Sequence, residues 1–467
     1  ENEVKDAIKA SLDAHDSWSS MPWEARAAVF LKASELLSGE YRSKINASTM
    51  LNQSKTCHQA EIDSACELID FWRFNADYAR QIYEDLQPPV SPSSMWNSSE
   101  VRPLEGFIFS VTPFNFSSIA ANLPSSAAIM GNTGVWKPSR NSYLSNYYLM
   151  RLMMDAGLPD GVINFIPGKA SMVGDICLSH PMLAGIHFTG STAVFRKMWK
   201  DVADNLPNMR SYPRIVGETG GKDFIVAHPN CDQKALVVAL IRGAFEFQGQ
   251  KCSAASRAYI PKSVWDNIEE EYCSEVAKIT IGDPKNFSNF MSAVIDKKSF
   301  DNITGYIDRA AKDSGCEIIT GGSYDDSKGY FINPTTIVCS DPNYESMSEE
   351  IFGPVLSIHI YPDQEFEQIL ETCDKTSEYA LTGSIFATNR EDIETAKKAL
   401  KYSCGNFYIN DKPTGAVVGQ QPFGGARGSG TNDKAGSPLN LLRWVSPRSI
   451  KETFAPPHDW SYGFLNE

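Results

Sequence analysis

A reactive thiol could be held by one short stretch of this sequence, Phe-Gln-Gly-Gln-Lys-Cys-Ser-Ala at residues 247–254. Cys252 stands between Lys251 and Ser253, close behind a glycine, so its neighbours would leave room for backbone donors and a small substrate. Most free cysteines are buried small hydrophobes rather than nucleophiles. A nucleophilic Cys252 therefore requires partner residues elsewhere in the chain.

Two such partners follow predicted strands. A cysteine nucleophile needs a general base and a donor for the oxyanion that it creates. Glu218 is the candidate base, because it follows the predicted strand 214–216 and is surrounded by glycines that would let a substrate approach. Asn115 also follows a strand, and its amide could donate to an oxyanion. Their ordinary interpretations are a surface glutamate and a turn asparagine.

Other residues at strand ends could bind a phosphorylated ligand. Lys137 ends a predicted strand and could donate to ribose hydroxyls, or could remain a solvated charge. Gly190 and Ser191 lie between a strand and a helix, where a phosphate could bind the helix N-terminus. This segment does not have the GxGxxG pattern typical of dinucleotide sites, so it does not identify such a site by itself.

The composition narrows the class of protein. A length of 467 residues predicts two or three domains, and the net charge of −14 argues against nucleic-acid or anionic-membrane partners. The ten cysteines include no CxxC pair and no Cys/His cluster at zinc spacing, which indicates reduced thiols and no metal site. No apolar run is long enough to span a bilayer. The sequence starts at Glu1 without a signal or transit peptide, so we expect that any such segment was removed or trimmed.

The helices and strands that must position these residues can be predicted along the chain. Helices are predicted before residue 87, and a Pro- and Ser-rich extended arm at 87–102. From residue 106, and again after Cys252, strands alternate with helices, which predicts βαβ units and largely parallel sheets. Ligands bind beyond the carboxyl ends of such strands. The end of the chain is predicted to form a Gly-rich loop at 420–430 and an extended tail.

Six segments occur in the order and spacing of NAD(P)-dependent aldehyde dehydrogenases, and the sequence therefore resembles that family. They are residues 112–116, 136–139, 188–191, 217–222, 247–254 and 349–354. The resemblance implies an α/β fold of the aldehyde dehydrogenase type, with a Rossmann-type cofactor domain, an α/β catalytic domain and an oligomerisation arm and tail. The implied ranges are 1–86 and 103–245 for the NAD-binding domain, 246–440 for the catalytic domain, and 87–102 and 441–467 for the arm and tail.

The resemblance also implies a covalent route. Cys252 would add to an aldehyde, Asn115 and the Cys252 backbone N–H would hold the oxyanion, and Glu218 would activate the water that hydrolyses the thioester. The cofactor contacts that it implies are Thr112, Lys137, Gly190, Ser191, Thr192, Ala193, Val194, Glu350 and Phe352. Arg140 stands where many NAD-preferring relatives have an acid, so NAD is expected and use of NADP stays open.

Residues 405–433 and 442–462 resemble the L-glutamate γ-semialdehyde dehydrogenase branch of the family. That resemblance implies oxidation of L-glutamate γ-semialdehyde, formed from 1-pyrroline-5-carboxylate, to L-glutamate in proline catabolism. It further implies a homo-oligomer, at least a dimer, in the mitochondrial matrix. The candidate substrate-binding residues are Ser253, Gly415, Ala416, Phe116 and Phe423.

Three alternatives remain at this point: a dehydrogenase of another small aldehyde, a thiol-dependent esterase, and a catalytically silent structural protein. Glu350 and Lys137 argue against the esterase, because an esterase has no use for ribose contacts. The complete set of Cys252, Glu218 and Asn115 argues against the silent protein.

Overall fold

The structure is a computed structural model that describes residues 1–465, so residues 466 and 467 of the predicted tail lie outside the described residues. The α-helices are α1 (Asn2–Ser19), α2 (Trp23–Ser38), α3 (Arg42–Gln53), α4 (Cys57–Ala60), α5 (Glu67–Asp85), α6 (Ser117–Ile129), α7 (Tyr143–Asp155), α8 (Ala170–Leu178), α9 (Thr192–Asn205), α10 (Gln233–Phe245), α11 (Lys262–Val276), α12 (Lys297–Ala310), α13 (Glu345–Ser348), α14 (Phe366–Lys375), α15 (Arg390–Ala399) and α16 (Pro438–Leu442).

The strands are β1 (Met95–Pro103), β2 (Phe107–Val111), β3 (Thr133–Lys137), β4 (Ile163–Phe165), β5 (Leu183–Thr189), β6 (Arg214–Glu218), β7 (Asp223–Ala227), β8 (Ala255–Pro261), β9 (Cys316–Thr320), β10 (Tyr324–Asp325), β11 (Phe331–Ile332), β12 (Thr335–Cys339), β13 (Val355–Tyr361), β14 (Tyr379–Ala380), β15 (Thr382–Phe386), β16 (Asn406–Ile409), β17 (Ala426–Arg427) and β18 (Val445–Thr453). The alternation of these strands with helices confirms the predicted α/β class.

The first sheet is parallel and has the strand order β4-β3-β2-β5-β6. Its central strands are buried almost throughout, as expected when helices cover both faces of a parallel sheet. Because the strands run the same way, the residues at their carboxyl ends share one edge. Lys137 ends β3, and Glu218 ends β6. Residues predicted from separate motifs thus meet at this edge.

The second sheet has the order β16-β15-β7-β8-β13-β12-β9, with only β9 antiparallel to its neighbour. It includes β7, so the chain passes from the first sheet to the second between Glu218 and Asp223. The domain boundary predicted between residues 245 and 246 stays a prediction. Residues 219–222, which connect β6 to β7, have no regular secondary structure and include Gly220 and Gly221. This connection is called the turn at Gly220 and Gly221 below.

The predicted arm and the predicted tail pair with each other. β1 and β18 form a two-stranded antiparallel ribbon, with Met95 opposite Thr453 and Pro103 opposite Val445. Large apolar side chains are exposed on this ribbon and just beyond it, among them Trp96 and Phe454. The ribbon is therefore a surface element that leaves apolar side chains in solvent.

Two structural features are absent from residues 1–465. None of the helices in that range combines the length and apolar character needed to cross a membrane. Over the same range, no group of three or more His, Cys, Asp or Glu side chains is arranged to hold a metal ion.

Candidate active site

The loop before Cys252 has an unusual backbone. Phe247, Gln248 and Gly249 all have positive φ, at 50°, 55° and 63°. Two of these residues are not glycine, and such conformations persist only where surrounding contacts hold them. The Gln248 side chain supplies such contacts by donating to the carbonyls of Ser54 at 3.0 Å and Ala293 at 2.9 Å. The loop is thus anchored to two distant segments.

Asn115 lies against this loop, as the oxyanion role requires. The side chain is buried, and its Nδ2 donates to the carbonyl oxygen of Gln250 at 3.1 Å. A side-chain amide carries two N–H donors, so one donor remains for a substrate oxygen. The structure therefore brings Asn115 and the nucleophile loop together.

Glu350 and Cys252 meet at a pair of glycines. Glu350 Oε1 accepts a hydrogen bond from the Gly221 N–H at 2.9 Å. A Cβ on Gly220 would lie 2.4 Å from Glu350 Oε2, and a Cβ on Gly221 would lie 2.1 Å from the Cys252 carbonyl oxygen. Any side chain at these two positions would push Glu350 or Cys252 away. Three of the six motifs thus touch at one turn.

Glu218 is half-buried at the end of β6, under the Gly-rich C-terminal loop. A Cβ on Gly424 would lie 2.9 Å from Glu218 Oε1, so this loop approaches the carboxyl closely. Burial raises the pKa of Glu218 to about 8, and the positive charge of Lys434 opposes that rise. A carboxyl that titrates in this range can serve as a general base near neutral pH.

The Cys252 thiol is half-buried and forms no disulfide. Burial raises its pKa well above the usual value, and negative charge on the neighbouring carboxyls of Glu218, Asp223 and Glu350 would raise it further. The backbone N–H of Cys252 acts in the opposite direction. Glu218, Asp223 and Glu350 are called the carboxyl cluster below. Burial also raises the pKa of Glu350, to about 7.

The edge of the first sheet carries the predicted cofactor residues. Lys137 Nζ is buried and donates to the Pro138 carbonyl, and burial lowers its pKa to about 8. Thr112 accepts a hydrogen bond from Trp136 Nε1 at 2.9 Å, and Gly190 N–H donates to the Glu218 carbonyl at 3.2 Å. These bonds fix the strand ends relative to each other.

The other cofactor residues begin α9 or adjoin Glu350. Ser191 precedes α9 without capping it, and Thr192, Ala193 and Val194 form its first turn. Phe352 has φ of 57° and packs edge-on against Phe114, with ring centroids 5.9 Å apart.

These residues fit a dinucleotide. The first N–H groups of α9 have no side-chain cap and can bind a phosphate. Lys137 has a carbonyl partner but no carboxylate partner among residues 1–465, so its donors suit ribose hydroxyls. Glu350 Oε1 is bonded to Gly221, which leaves Oε2 for another hydroxyl.

The predicted substrate residues are only partly brought together. Ser253 Oγ lies 2.9 Å from Thr414 Oγ1, which ties the nucleophile turn to the loop that carries Gly415 and Ala416. The direct partner of Ser253 is thus Thr414, a residue that the sequence did not single out. Gly415 has φ of 86° and is exposed, and Ala416 is half-buried.

Phe116 and Phe423 are both half-buried, but within the described part of the chain their rings do not contact each other. Lys55 Nζ lies over the Phe116 ring, 4.3 Å from its centroid, and over the Phe247 ring at 4.2 Å. Phe116 is thus held by a buried cation beside the nucleophile loop.

Nearby, Glu67 is bonded to Ser118, and its pKa is raised to about 8 by burial and the charge of Asp63.

A chain of ion pairs, in which every member except Arg242 is buried, lies beside the nucleophile loop, and no motif in the sequence indicated it. Arg242 pairs with Glu246 at 2.9 Å, Glu246 with Lys251 at 3.6 Å, Lys251 with Asp63 at 3.7 Å, and Asp63 with Lys55 at 2.6 Å. These five residues are called the ion-pair chain below. No local pattern could reveal it, because Lys55 and Asp63 come from the N-terminal helical region and the others from the segment before Cys252.

Comparison with known proteins agrees with this geometry. Residues 1–450 match the model of the aldehyde dehydrogenase family. The chain belongs to the aldehyde dehydrogenase family.

Its relatives indicate a particular branch. The chain is 53% identical over 464 residues to the mitochondrial delta-1-pyrroline-5-carboxylate dehydrogenase of Dictyostelium discoideum, covering 99% of this chain and 83% of that protein. It is 47% identical over 460 residues to the human mitochondrial enzyme of that name, covering 98% and 81%. It is also similar to the crystal structure of the Mycobacterium tuberculosis delta-pyrroline-5-carboxylate dehydrogenase bound with NAD, with a TM-score of 0.95, 53% identity, and coverage of 99% of this chain and 85% of that one.

Proposed function

We infer that this protein oxidises L-glutamate γ-semialdehyde, formed from 1-pyrroline-5-carboxylate, to L-glutamate in proline catabolism, with NAD as the hydride acceptor. The observation that carries this inference is the turn at Gly220 and Gly221, where Glu350 and Cys252 meet. A thiol and a ribose-binding carboxylate at one turn suit a dehydrogenase and have no purpose in an esterase. Relatives at about half identity over nearly the whole chain bear this enzyme's name.

The residues divide the reaction between them. Cys252 gives its proton to solvent and adds as the thiolate to the aldehyde carbon, and we propose that the Asn115 amide and the Cys252 N–H bind the resulting oxyanion. NAD, when bound along Lys137, Glu350 and the start of α9, supplies the acceptor for the hydride that leaves this carbon. Glu218 then takes a proton from water, which attacks the thioester and releases the acid and the free thiol.

We propose that the substrate's α-amino acid head lies at the Ser253–Thr414 contact. Backbone N–H groups at Gly415 and Ala416, together with a hydroxyl, would suit its carboxylate. Phe116 and Phe423 would then cover its methylene groups. The Ser253–Thr414 distance of 2.9 Å supports this placement, because it brings the anchor loop next to the nucleophile.

We further propose that the first sheet and the helices before residue 87 bind the cofactor, and that the second sheet carries the catalytic region. The β1–β18 ribbon and the tail would pair with another subunit to give at least a dimer. Exposed Trp96 and Phe454 on and beside the ribbon support this role. The mitochondrial names of the Dictyostelium and human relatives support a mitochondrial matrix enzyme.

The test is NADH formation with 1-pyrroline-5-carboxylate by the wild type, Cys252→Ala and Cys273→Ala. Cys273 is a matched control, because it is a half-buried free thiol on α11, remote from the site residues. We expect activity in the wild type and the Cys273 variant, and none in the Cys252 variant. Equal rates with simple aliphatic aldehydes would reject the substrate, and a fully active Cys252 variant would reject the mechanism.

A further inference from the structure

Asp223 is a buried acid that the mechanism above leaves without a role. It opens β7 immediately after the glycine turn and is 1% exposed. Its Oδ1 accepts a hydrogen bond from the Thr382 backbone N–H at 2.7 Å. Its Oδ2 is buried and has no hydrogen-bond partner among the described residues. One half of this carboxyl is therefore anchored, and the other half lacks a donor.

The unpartnered oxygen points at the turn where the site is assembled. The position that a Cβ on Gly221 would take lies 2.6 Å from Asp223 Oδ2 and 2.1 Å from the Cys252 carbonyl oxygen. The same Gly221 donates its N–H to Glu350. In the second sheet, Asp223 is also the register partner of Ala255, three residues after the nucleophile. Asp223 thus lies against the turn and next to the strand that follows the nucleophile.

The charges around Asp223 do not compensate a carboxylate there. The groups that interact with it are Lys222, Arg257, Glu350, Cys252, Cys404 and Tyr408. The Arg257 guanidinium donates to the Lys222 carbonyl at 2.8 Å and to the Tyr259 hydroxyl at 3.1 Å, so it does not pair with Asp223. Lys222 Nζ has no hydrogen-bond partner in residues 1–465. An unpaired buried carboxylate is costly, and such a group takes up a proton instead.

Electrostatics agrees with this geometry. Burial, together with the charge of Glu350, raises the pKa of Asp223 well above its usual value, while the Thr382 N–H and Arg257 act in the opposite direction. A neutral carboxylic acid has an O–H donor, which would satisfy the orphaned oxygen.

We propose that Asp223 is a positioning residue that works as a neutral, protonated acid, anchoring the Gly221 turn without adding a negative charge beside the Cys252 thiolate. Oδ1 accepts from Thr382, and the proton on Oδ2 gives the turn a donor. Neutrality matters because Cys252 must become negative in a site that already contains Glu218 and Glu350. This proposal rests on the proposed function, because it takes Cys252 as the nucleophile.

The test is the rate at which iodoacetamide alkylates Cys252 in the enzyme without substrate or cofactor, from pH 6 to 10. This reaction reports the thiolate directly, so it stays informative even if the substrate assignment fails. D223N keeps the shape and the donor of a protonated Asp223 but cannot ionise. D223A removes both. The C252A variant gives the background rate of the other thiols.

We expect D223N to leave the neutral-pH alkylation rate within about twofold of the wild type, because no charge is removed. D223A should slow alkylation by roughly tenfold at alkaline pH, because the turn loses its anchor. If D223N instead speeds alkylation by about tenfold, equivalent to a one-unit fall in the thiol pKa, Asp223 carries a charge and the proposal is wrong. D223A behaving as wild type would equally overturn it.

A matched control is D363N. Asp363 Oδ1 also accepts a backbone N–H, from Ser263 at 3.0 Å, but this carboxyl is exposed, so its variant should leave alkylation unchanged. Should D223N fail to fold, infrared spectra of the wild type with ¹³C-labelled aspartate decide the matter at neutral pH. A carboxylic-acid carbonyl band supports the proposal, and a spectrum with only carboxylate bands overturns it.

Discussion

The two sides of the nucleophile loop hold their buried charges in opposite ways. On one side, each member of the ion-pair chain contacts a group of opposite charge. Towards the turn at Gly220 and Gly221, the members of the carboxyl cluster have no cation within ion-pair distance in the described part of the chain. Burial raises the pKa of each of these acids.

This difference in charge pairing indicates that the ion-pair chain holds the loop in place, whereas the carboxyl cluster takes part in the chemistry. A paired buried charge is expensive to break and so fixes geometry, here the loop between Glu246 and Lys251. An unpaired buried acid can change its protonation with little change in structure, which suits Glu218 as a general base near neutral pH and leaves Asp223 neutral. Charge changes in the carboxyl cluster should therefore alter the rate, whereas those in the ion-pair chain should alter stability.

The largest expected effect is that of Glu218→Gln in the carboxyl cluster. Loss of the general base should lower kcat by about 10²–10⁴-fold. The wild-type rate should rise as pH increases through about 8, because the pKa of Glu218 is raised to that value and only its deprotonated form accepts a proton from water. Steady-state NADH formation against pH measures both. A variant that keeps the wild-type kcat and pH profile would assign the base elsewhere.

The next effect is a loss of stability in the ion-pair chain. Asp63→Asn leaves Lys55 buried and unpaired, which should destabilise the protein by about 3–5 kcal/mol. Thermal unfolding measures the change, and adding Lys55→Met to the same variant should recover most of it. The exposed pair Lys262–Asp266, at 2.7 Å, provides the control, since Asp266→Asn should not shift Tm measurably. Equal losses in both variants would contradict the comparison.

A smaller effect on the kinetic constants should distinguish the two glycines of the turn. Gly221→Ala should displace Cys252 and lower kcat by up to about 100-fold, because its Cβ would meet the Cys252 carbonyl oxygen. Gly220→Ala should displace Glu350 and mainly raise the KM for NAD. Initial rates at varied NAD give both constants. If both variants change only KM, the turn does not position the thiol.

The smallest expected effect concerns cofactor choice at Arg140, an exposed residue that follows β3. Arg140→Glu should raise the preference for NAD over NADP by up to about fivefold, because an exposed charge contributes at most about 1 kcal/mol. The ratio of kcat/KM for the two cofactors measures this. Arg151→Glu, an exposed charge reversal on α7, should leave the ratio unchanged. An unchanged ratio in both variants would show that Arg140 does not read the 2′-position.

Much of the fold could be predicted from the sequence. Strands were predicted from residue 106, and β2 begins at Phe107; the predicted extended arm at 87–102 covers most of β1, because apolar runs and prolines are local signals. The strand β7 was missed, since it begins directly after the glycine turn without a separate start signal. The positive φ values at Phe247 and Gln248 were also missed, because only distant contacts hold them.

The sequence predicted which residues belong to the candidate site better than it predicted which of them contact each other. Asn115 contacts the carbonyl of Gln250, 135 residues away, as its predicted role requires. Ser253 also contacts Thr414, and Phe116 contacts Lys55, and neither Thr414 nor Lys55 was predicted. The residues came from segments matched one by one, and such segments contain no information on which side chains fill the space between them.

The sequence by itself determined the class of chemistry. The types of Cys252, Glu218 and Asn115 indicated a nucleophile with a base and an oxyanion donor, and the resemblance of the motifs to aldehyde dehydrogenases implied aldehyde oxidation through a covalent thioester. Only the tertiary structure decided which charged groups around the thiol are paired and which acids have a raised pKa. Burial and the identity of the nearest charge set the protonation of Glu218, Asp223 and Glu350. Both arise where segments far apart in the chain come together.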